Sequence, residues 1–563
     1  MGKKWNFLSD KLDAAKVNEM AKLYKISPVM AALLLNRGID ENKIENFFAP
    51  HISDLYDPFL LKDMDKATER INKAVEKGEK ITVYGDYDVD GITSVAIVLK
   101  YLKSKGAVCT YFIPERESDG YGLNKDAIDK IKCGGTSLII TVDNGISAVE
   151  EAEYVKKCGI DLVITDHHAC GDVIPSARAV VNPKQPGCGY PFKELAGAGV
   201  CFKLICALEG NSEKIIEDFG EYVAIATIAD VVSLTDENRT IVKFGMKKLS
   251  GCNIPWFDAL CEVSGIEKEN LNSYHIGFII APRLNAAGRM GSAYSALKLI
   301  LSEDYESAVE YATLLDEENK RRKELGNGIF EEATEMIEKN NYADNKVIVL
   351  AKEGWHGGII GITASKIAGL YEKNVFLLSL SGNEAKGSGR GVEGLNLYDA
   401  LANCADCLSK YGGHAMAAGL SLPAENIDIF RKKINEYADS VIDGEIILSL
   451  DIDCRLSCGG SLLKLIDEIQ KMEPFGAGNE KPLFAVSGAK ISFVKKTKDG
   501  KHMMLRFIKG GSEFSAIAFG MGDMADTVKR DCVYTIAATL EKNEYLGNVS
   551  PQFHITDIVK EGR

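Results

Sequence analysis

No stretch of this 563-residue chain approaches the ~20 uninterrupted apolar residues that a membrane helix needs. The opening MGKKWNFLSDKLDAAK lacks the apolar core of a signal peptide. Both absences argue against a membrane protein or a secreted one, so a cytoplasmic protein is expected. Internal repeats and low-complexity tracts are missing as well. No heptad run argues for assembly, and a monomer is expected. The 14 cysteines show no framework spacing and read as reduced core residues. Two close pairs, Cys404/Cys407 and Cys454/Cys458, supply four thiols, but residues 408–453 separate them, wider than structural zinc sites usually allow. An excess of positive charge is also lacking: the net charge is −14. Nucleic acid attracts basic surfaces, so the sign argues against it, though weakly. A substrate feels its groove rather than the whole surface, and carboxylates neutralised by bound metal still count as negatives.

What is present divides the chain. At roughly 100–200 residues per domain, about three or four units are expected. Residues 1–60 read as helical and irregular, with VNEMAKLYKISPVMAALLLNRGI forming two short amphipathic helices broken near Pro28. From about residue 80, short β-branched strands alternate with helical segments: ITVYGD, TSVAIVLKYLKSKG, VCTYFIP, TSLIITVDNG, SAVEEAEYVKKCG, DLVITDHH. This pattern predicts a parallel sheet covered by helices over residues 61–301, its functional loops at the carboxyl ends of the strands. Residues 302–342 predict a long connecting helix, and 343–445 a second, smaller α/β domain. Residues 446–563 hold strand-like segments, IILSLDID, PLFAVSG, AKISFVKK, HMMLRFIKG, EFSAIAF, CVYTIAATL and QFHITDI, which predict a small β-barrel. The fold class is therefore α/β with a C-terminal barrel.

Acidic and histidine clusters fall where strands are predicted to end. Asp86, Asp88 and Asp90 follow ITVY at alternate positions, and an extended chain would point all three the same way. Asp143 follows SLIITV, Asp166-His167-His168 follows DLVIT, and Asp230 follows YVAIATIA, read as a further strand. A lone strand-end Asp is usually a turn former or helix cap, the default for Asp143 and for Asp230. Their joint occurrence is a metal-site pattern, and oxygen with some nitrogen suits manganese or magnesium better than zinc. Two ions can clamp the attacking and leaving oxygens of an in-line phosphoryl displacement. Hydrolysis of a phosphate ester or anhydride is the expected chemistry.

GDYDVDGITS, TVDNG, TDHH and IADVVSL, in this order, resemble the four motifs of the DHH phosphoesterase superfamily. VVNPKQPGCGYPF, GFIIAPRLNAAGRMGS, GSGRGVEG, YGGHAMAAG and MEPFGAGNEKPLF resemble its RecJ branch, the 5′→3′ exonucleases specific for single-stranded DNA. The resemblance runs from about residue 50 to the C-terminus. It implies that Asp88, Asp90, Asp143, His167 and Asp230 hold two Mn²⁺ ions, magnesium being the alternative, with Asp143 bridging. His168 would contact the scissile phosphate, and Asp86 would join or orient the metal shell. Pyrophosphatase-like relatives carry a ligand His four residues before the first motif Asp, where this chain has Tyr84. Residues 343–445 would be the DHH-associated domain that holds substrate. There Gly357 and Gly358 start a helix whose free N–H groups favour phosphate. Ser388, Gly389 and Arg390 would approach a phosphate closely, and His414 would line the same cleft. Arg116, Arg283 and Arg289 would meet DNA phosphates, one of them the 5′-terminal phosphate. The barrel would be an oligonucleotide-binding (OB) fold guiding the strand. In it Lys495, Lys496, Lys498 and Lys501 surround a hairpin, and Phe493, Phe507 and Tyr545 are candidates for base stacking, although core packing is the commoner fate of such aromatics.

The implied partners are single-stranded DNA, a helicase and a single-strand binding protein, in repair and recombination. Two other readings compete: a phosphodiesterase for short oligonucleotides, cyclic dinucleotides or pyrophosphate, and an inert scaffold. The additional barrel counts against the first, and the complete metal set against the second.

Overall fold

Apolar β-branched runs become the central strands of a sheet because neither of their faces meets water. The computed structural model describes residues 3–116, 120, 122–444, 449–545 and 547–562, with Tyr545 described by its backbone alone. Among these, Ile81–Tyr84 (β1), Cys109–Phe112 (β2), Leu138–Val142 (β3), Asp161–Thr165 (β4) and Ala179–Val181 (β5) form a parallel sheet in the order β2-β1-β3-β4-β5. Every residue of β1 and β3 is buried. Helices Val89–Ser104 (α1), Lys125–Cys133 (α2) and Val149–Lys157 (α3) return the chain between strands. β1 and β3 are neighbours although β2 lies between them in sequence. At such a reversal a crevice opens at the carboxyl ends of the strands.

Two expectations need correction. YVAIATIA is not a strand: it lies in the helix Ser212–Ala229 (α5), which packs beside Gly197–Glu209 (α4), and residues 219–228 are all buried. A helix apolar on every side shows no 3.6-residue period, so the run was indistinguishable from a buried strand. Asp230 is therefore the C-cap of a helix, not a strand end. Nor do Asp86, Asp88 and Asp90 line one extended face, because the chain turns into α1 at Val89 with Asp88 as its N-cap.

The helix Ala281–Met290 (α6) leads towards the 35-residue helix Tyr305–Lys339 (α7). At ~1.5 Å per residue, α7 spans about 52 Å. The second sheet follows: Val347–Glu353 (β6), the helix Gly357–Tyr371 (α8), Asn374–Ser381 (β7), Glu384–Arg390 (β8), Lys410–Gly413 (β9) and Ala417–Pro423 (β10), ordered β9-β10-β8-β7-β6. Only β6 and β7 pair in parallel, joined by α8. Both sheets belong to one compact unit, Tyr56–Val232 with Ile241–Ile446.

The other unit comprises Met1–Leu55, Ser233–Thr240 and Ile447–Arg563. Phe484–Lys496 (β11), Met503–Lys509 (β12), Ser512–Ala518 (β13), Val533–Tyr545 (β14) and Asn548–Lys560 (β15) close into a barrel, since β11 pairs with both β12 and β14. PLFAVSG and AKISFVKK, read as two strands, are one, with register shifts between Val486 and Ala489 and between Ile491 and Phe493 that let it bend. Ser449–Ile452, expected in the barrel, pairs instead with an N-terminal strand, Lys4–Phe7, which the helical reading of residues 1–60 missed. Pro28 starts the helix Pro28–Asn36, capped by Ser27, where its missing N–H costs nothing. That helix is buried across Met30–Leu34 rather than amphipathic. Cys404 and Cys407 pack in the core of the second sheet and Cys454 in that of the barrel unit, so these thiols serve as apolar packing.

Candidate active site

The loop after β1, the turn after β3 and the loop after β4 meet at the carboxyl edge of the first sheet, where α5 also ends. Three groups of side chains there place ligand atoms within 4.8 Å of one another: Asp86 with Asp88 and Asp143, Asp90 with His167 and Asp230, and Asp143 with His167 and His168. Asp143 and His167 each belong to two groups. His167 Nε2 lies 3.2 Å from Asp143, 3.6 Å from Asp230 and 3.8 Å from Asp90. It hydrogen-bonds to none of them, and Oδ1 of buried Asp86 likewise has no hydrogen-bond partner.

Local geometry fixes these side chains. Asp88 Oδ1 accepts the N–H of Gly91 at 3.0 Å, and Asn285 Oδ1 accepts that of Val89 at 3.2 Å. Asp90 accepts the N–H groups of Gly197 and Ala198, at 2.6 and 2.7 Å, so the start of α4 holds it. Asp143 has a φ of 61°, left-handed backbone that Asp tolerates better than most residues. A Cβ on Gly197 would lie 2.5 Å from Asp143 Oδ1, so only glycine lets α4 come this close. Asp166 does not join the cluster as a ligand. Its oxygens accept the N–H groups of Ile146, His167 and His168 and hold His168 Nδ1 at 2.7 Å. Tyr84 points the other way, stacked on Phe112 with its hydroxyl on the Gly122 carbonyl, so Asp86 supplies the carboxylate on this side.

Electrostatics state the same need. Burial, then neighbouring carboxylates, push Asp90 and Asp143 well above the usual range; Asp86 rises likewise through burial and Asp88. Asp230 is raised to about 7 by burial and by Asp88. Burial and the charge of His168 lower His167 to about 3, leaving it a neutral donor. His168 runs opposite: burial disfavours its charge, but Asp166 outweighs this and lifts it to about 9. Crowded hard oxygen donors with one neutral imidazole fit divalent cations of the manganese and magnesium kind.

Beside the cluster stand cations. Arg289 is lowered to about 10 by burial, then by Arg116 and Arg322, and Arg390 is lowered by burial and Arg116. Arg116 lies over the Tyr87 ring, 5.1 Å from its centroid. The structure thus gathers Arg116, Arg289 and Arg390, and adds Arg322 of α7, which sequence reasoning missed by treating 302–342 as a connector. Ser388 accepts from Arg390 at 3.0 Å, and Gly389 accepts from it through its carbonyl at 2.7 Å. Ala417 pairs with Arg390, so the exposed His414, in the β9–β10 turn, lies at the same end of the sheet. Arg283 stands apart, engaged by Asp316 at 2.9 Å and the Ile279 carbonyl at 2.8 Å. Gly357 and Gly358 do begin α8, but the N–H of Gly358 is taken by His356 Nδ1 at 3.1 Å. Gly358 instead permits close packing, since a Cβ there would lie 2.4 Å from the Arg289 carbonyl. Lys184, whose charge reaches His167 and Asp230, was a second omission.

In the barrel, Phe507 is fully buried against Phe514 and Phe553, which settles it as core. Phe493 is half-buried, with the guanidinium groups of Arg506 and Arg530 each 5.7 Å from its ring. Lys496 pairs with Asp526 and Asp523, whereas Lys495, Lys498 and Lys501 are exposed. The side chain of Tyr545 lies outside the described residues.

A parallel sheet whose carboxyl edge gathers Asp, Asp-His-His and Asp groups around a divalent-metal site, followed by a second sheet bearing Arg390, defines a DHH-type protein. The chain matches the DHH family N-terminal domain over residues 80–227, the DHHA1 domain over 344–440 and the RecJ OB domain over 452–557. It is 39% identical to the single-stranded-DNA-specific exonuclease RecJ of Bacillus subtilis, across 97% of this chain and 70% of that protein. It is 32% identical to the Escherichia coli protein of the same name, across 96% and 98% of the two chains. The crystal structure of RecJ from Thermus thermophilus in complex with Mn²⁺ superimposes with a TM-score of 0.86 at 28% identity, covering 100% of this chain and 80% of that one. A Mg²⁺ complex from the same organism matches with a TM-score of 0.78 at 26% identity, covering 100% and 79%. The chain belongs to the RecJ family. No helix among the described residues is long and apolar enough to cross a membrane.

Proposed function

We propose that this chain is a metal-dependent exonuclease that degrades single-stranded DNA from its 5′ end to mononucleotides, in repair and recombination. One observation carries the reading: overlapping groups of carboxylate and imidazole ligands lie beside a cluster of guanidinium groups in the same unit. Asp86, Asp88 and Asp143 would hold one ion, Asp90, His167 and Asp230 a second, with Asp143 between them. Mn²⁺ is the favoured metal and Mg²⁺ the alternative. The ions, when bound, supply Lewis acidity and an activated water for in-line attack on phosphorus.

The chain's own residues do the rest. Arg116, Arg289 and Arg390, with Ser388 and His414, seat the 5′-terminal phosphate and set which phosphodiester reaches the metals. His168, charged at neutral pH through Asp166, faces the scissile phosphate and stabilises the charge that builds there. A cleft between the two sheets admits one strand and excludes a duplex by size. The barrel guides the strand as it advances, a helicase supplies it and a single-strand binding protein keeps it open, while the enzyme works as a monomer.

The test incubates the protein and Mn²⁺ with internally labelled single-stranded DNA bearing free 5′, blocked 5′ or blocked 3′ ends, with Asp143→Ala as control. Mononucleotides from every substrate except the 5′-blocked one, and none from the variant, are expected. Intact DNA alongside hydrolysed dinucleotides or pyrophosphate would replace the substrate; cleavage of nothing would favour a scaffold.

A further inference from the structure

Single exposed apolar side chains are common on protein surfaces, but two aromatic rings stacked on each other in water are not what burial favours. Tyr274 and Phe278 are such a pair: 55% and 69% exposed, with ring centroids 4.9 Å apart and planes 25° from parallel. They occupy the segment Ser273–His275 and Ile276–Ile280, which leads straight into α6. Pro282 explains the local form. It lacks an N–H and its ring crowds the preceding turn, and the helix before it widens into a π turn over Ile276–Ile280. Arg283 reaches back to the Ile279 carbonyl.

We propose that Tyr274 and Phe278 form a stacking platform for the bases of single-stranded DNA on the 3′ side of the cleaved bond. Position supports this occupant. A Cβ on Gly277 would lie 3.5 Å from the Ile228 side chain, so the segment packs against α5 two residues before the candidate ligand Asp230. Val231, which follows Asp230, is 71% exposed at a φ of 59°, uncommon for a β-branched residue and of the kind found beside functional sites. The other end of the same helical run carries Arg289, in the guanidinium cluster. Charge continues between the two through Arg322, Lys323 and Lys366, whose cations act on one another, while Arg283 and the exposed Lys320 of α7 are both paired to Asp316. An aromatic face at the end of a cationic band is the combination that binds single strands without regard to sequence.

The placement also sets a length. Phe278 precedes Arg289 by 11 residues, or ~16 Å of helix. With the 5′ phosphate at Arg289, that reaches about five nucleotides at a stacked rise of ~3.4 Å.

This inference rests on the proposed exonuclease reading, and its test separates the two. The 563-residue chain and its Tyr274→Ala/Phe278→Ala and Phe278→Trp variants are assayed with Mn²⁺ on 5′-phosphorylated single strands of four and of twenty nucleotides. A third substrate is a 20-mer abasic at positions 5–8. Stacking predicts a KM raised ~10-fold for the double variant on the intact 20-mer, with kcat unchanged and the 4-mer unaffected. The wild type should lose the same factor on the abasic 20-mer, where the variant loses nothing more, and Phe278→Trp should retain tight binding. A variant that matches the wild type on the intact 20-mer overturns the platform, leaving the rings to a protein partner. A deficit that persists on the abasic strand or the 4-mer also overturns it. If the wild type degrades none of the three, the exonuclease reading itself fails, whatever the variants do.

Discussion

His168 Nδ1 sits 2.7 Å from Asp166 Oδ1, and the same oxygen accepts the backbone N–H of His168 at 3.1 Å. One buried carboxylate thus fixes both the orientation and the charge of an imidazole that is itself 41% exposed. Asp166 is a positioning residue, and its replacement should act through His168.

Asp166→Asn removes the charge that lifts His168 to about 9. The imidazole of the variant is then neutral at pH 8 and charged only in more acidic solution. Activity should fall ~10–100-fold at pH 8, less at pH 6, and the alkaline limb of the pH–rate profile should move down. A profile of unchanged shape would mean that His168 works without its charge.

Gly197→Ala inserts a methyl group 2.5 Å from Asp143 Oδ1. Asp143 must yield, because the new atom projects from the rigid start of α4. Weaker Mn²⁺ binding by calorimetry and a kcat lower by ~10-fold or more are expected, with the thermal midpoint changed little. Wild-type metal affinity in a well-folded variant would show that Asp143 can move without consequence.

Arg283 and Arg390 look alike in sequence, each an arginine inside a glycine-containing, family-matching segment, yet their partners in the structure differ. Arg283→Ala breaks a largely buried ion pair with Asp316 and should cost about 1–3 kcal/mol of stability, leaving DNA affinity nearly intact. Arg390→Ala should do the reverse: little change in denaturation midpoint, and selective loss of preference for a 5′-phosphorylated end. Equal effects of both variants on end preference would return Arg283 to the phosphate site.

The contrast shows what a sequence reveals. β1, β3 and β4 were legible because strands buried on both faces leave continuous apolar runs, and their carboxyl ends carried the acidic motifs. α5 was not, since a helix buried all round has the same composition as such a strand. Arg322 escaped because a cation in a charged run looks solvated until the fold surrounds it, and Lys184 because a single lysine between two prolines reads as an ordinary loop cation. Tyr274 and Phe278 escaped for the opposite reason: aromatics in a segment rich in isoleucine suggest core, and their exposure shows only in the fold. The ion pair of Arg283 depends on the position of Asp316, 33 residues away, which no local spacing encodes.

Metal removal should expose the cost of the acidic cluster. Burial and mutual repulsion raise Asp86, Asp90 and Asp143, and Asp230 to about 7. A carboxyl whose folded value lies above its unfolded one, near 3.8, contributes stability while protonated. That contribution is complete below pH ~4 and is lost as the pH climbs to the folded value. The metal-free protein should therefore weaken between about pH 4 and 7, where the carboxylates ionise against one another. Bound Mn²⁺ favours the ionised form, so the gain in melting temperature over an EDTA-treated sample should widen with pH across this window. Asp230→Asn supplies the internal control, because it removes one charge from the cluster and with it part of the repulsion that raises Asp90. Without metal it should outlast the wild type at pH 8, and with Mn²⁺ it should gain less. If the metal-free wild type instead matched or exceeded Asp230→Asn at pH 8, the cluster would have to be neutralised by groups of the protein itself, and the need for cations inferred from its burial would disappear.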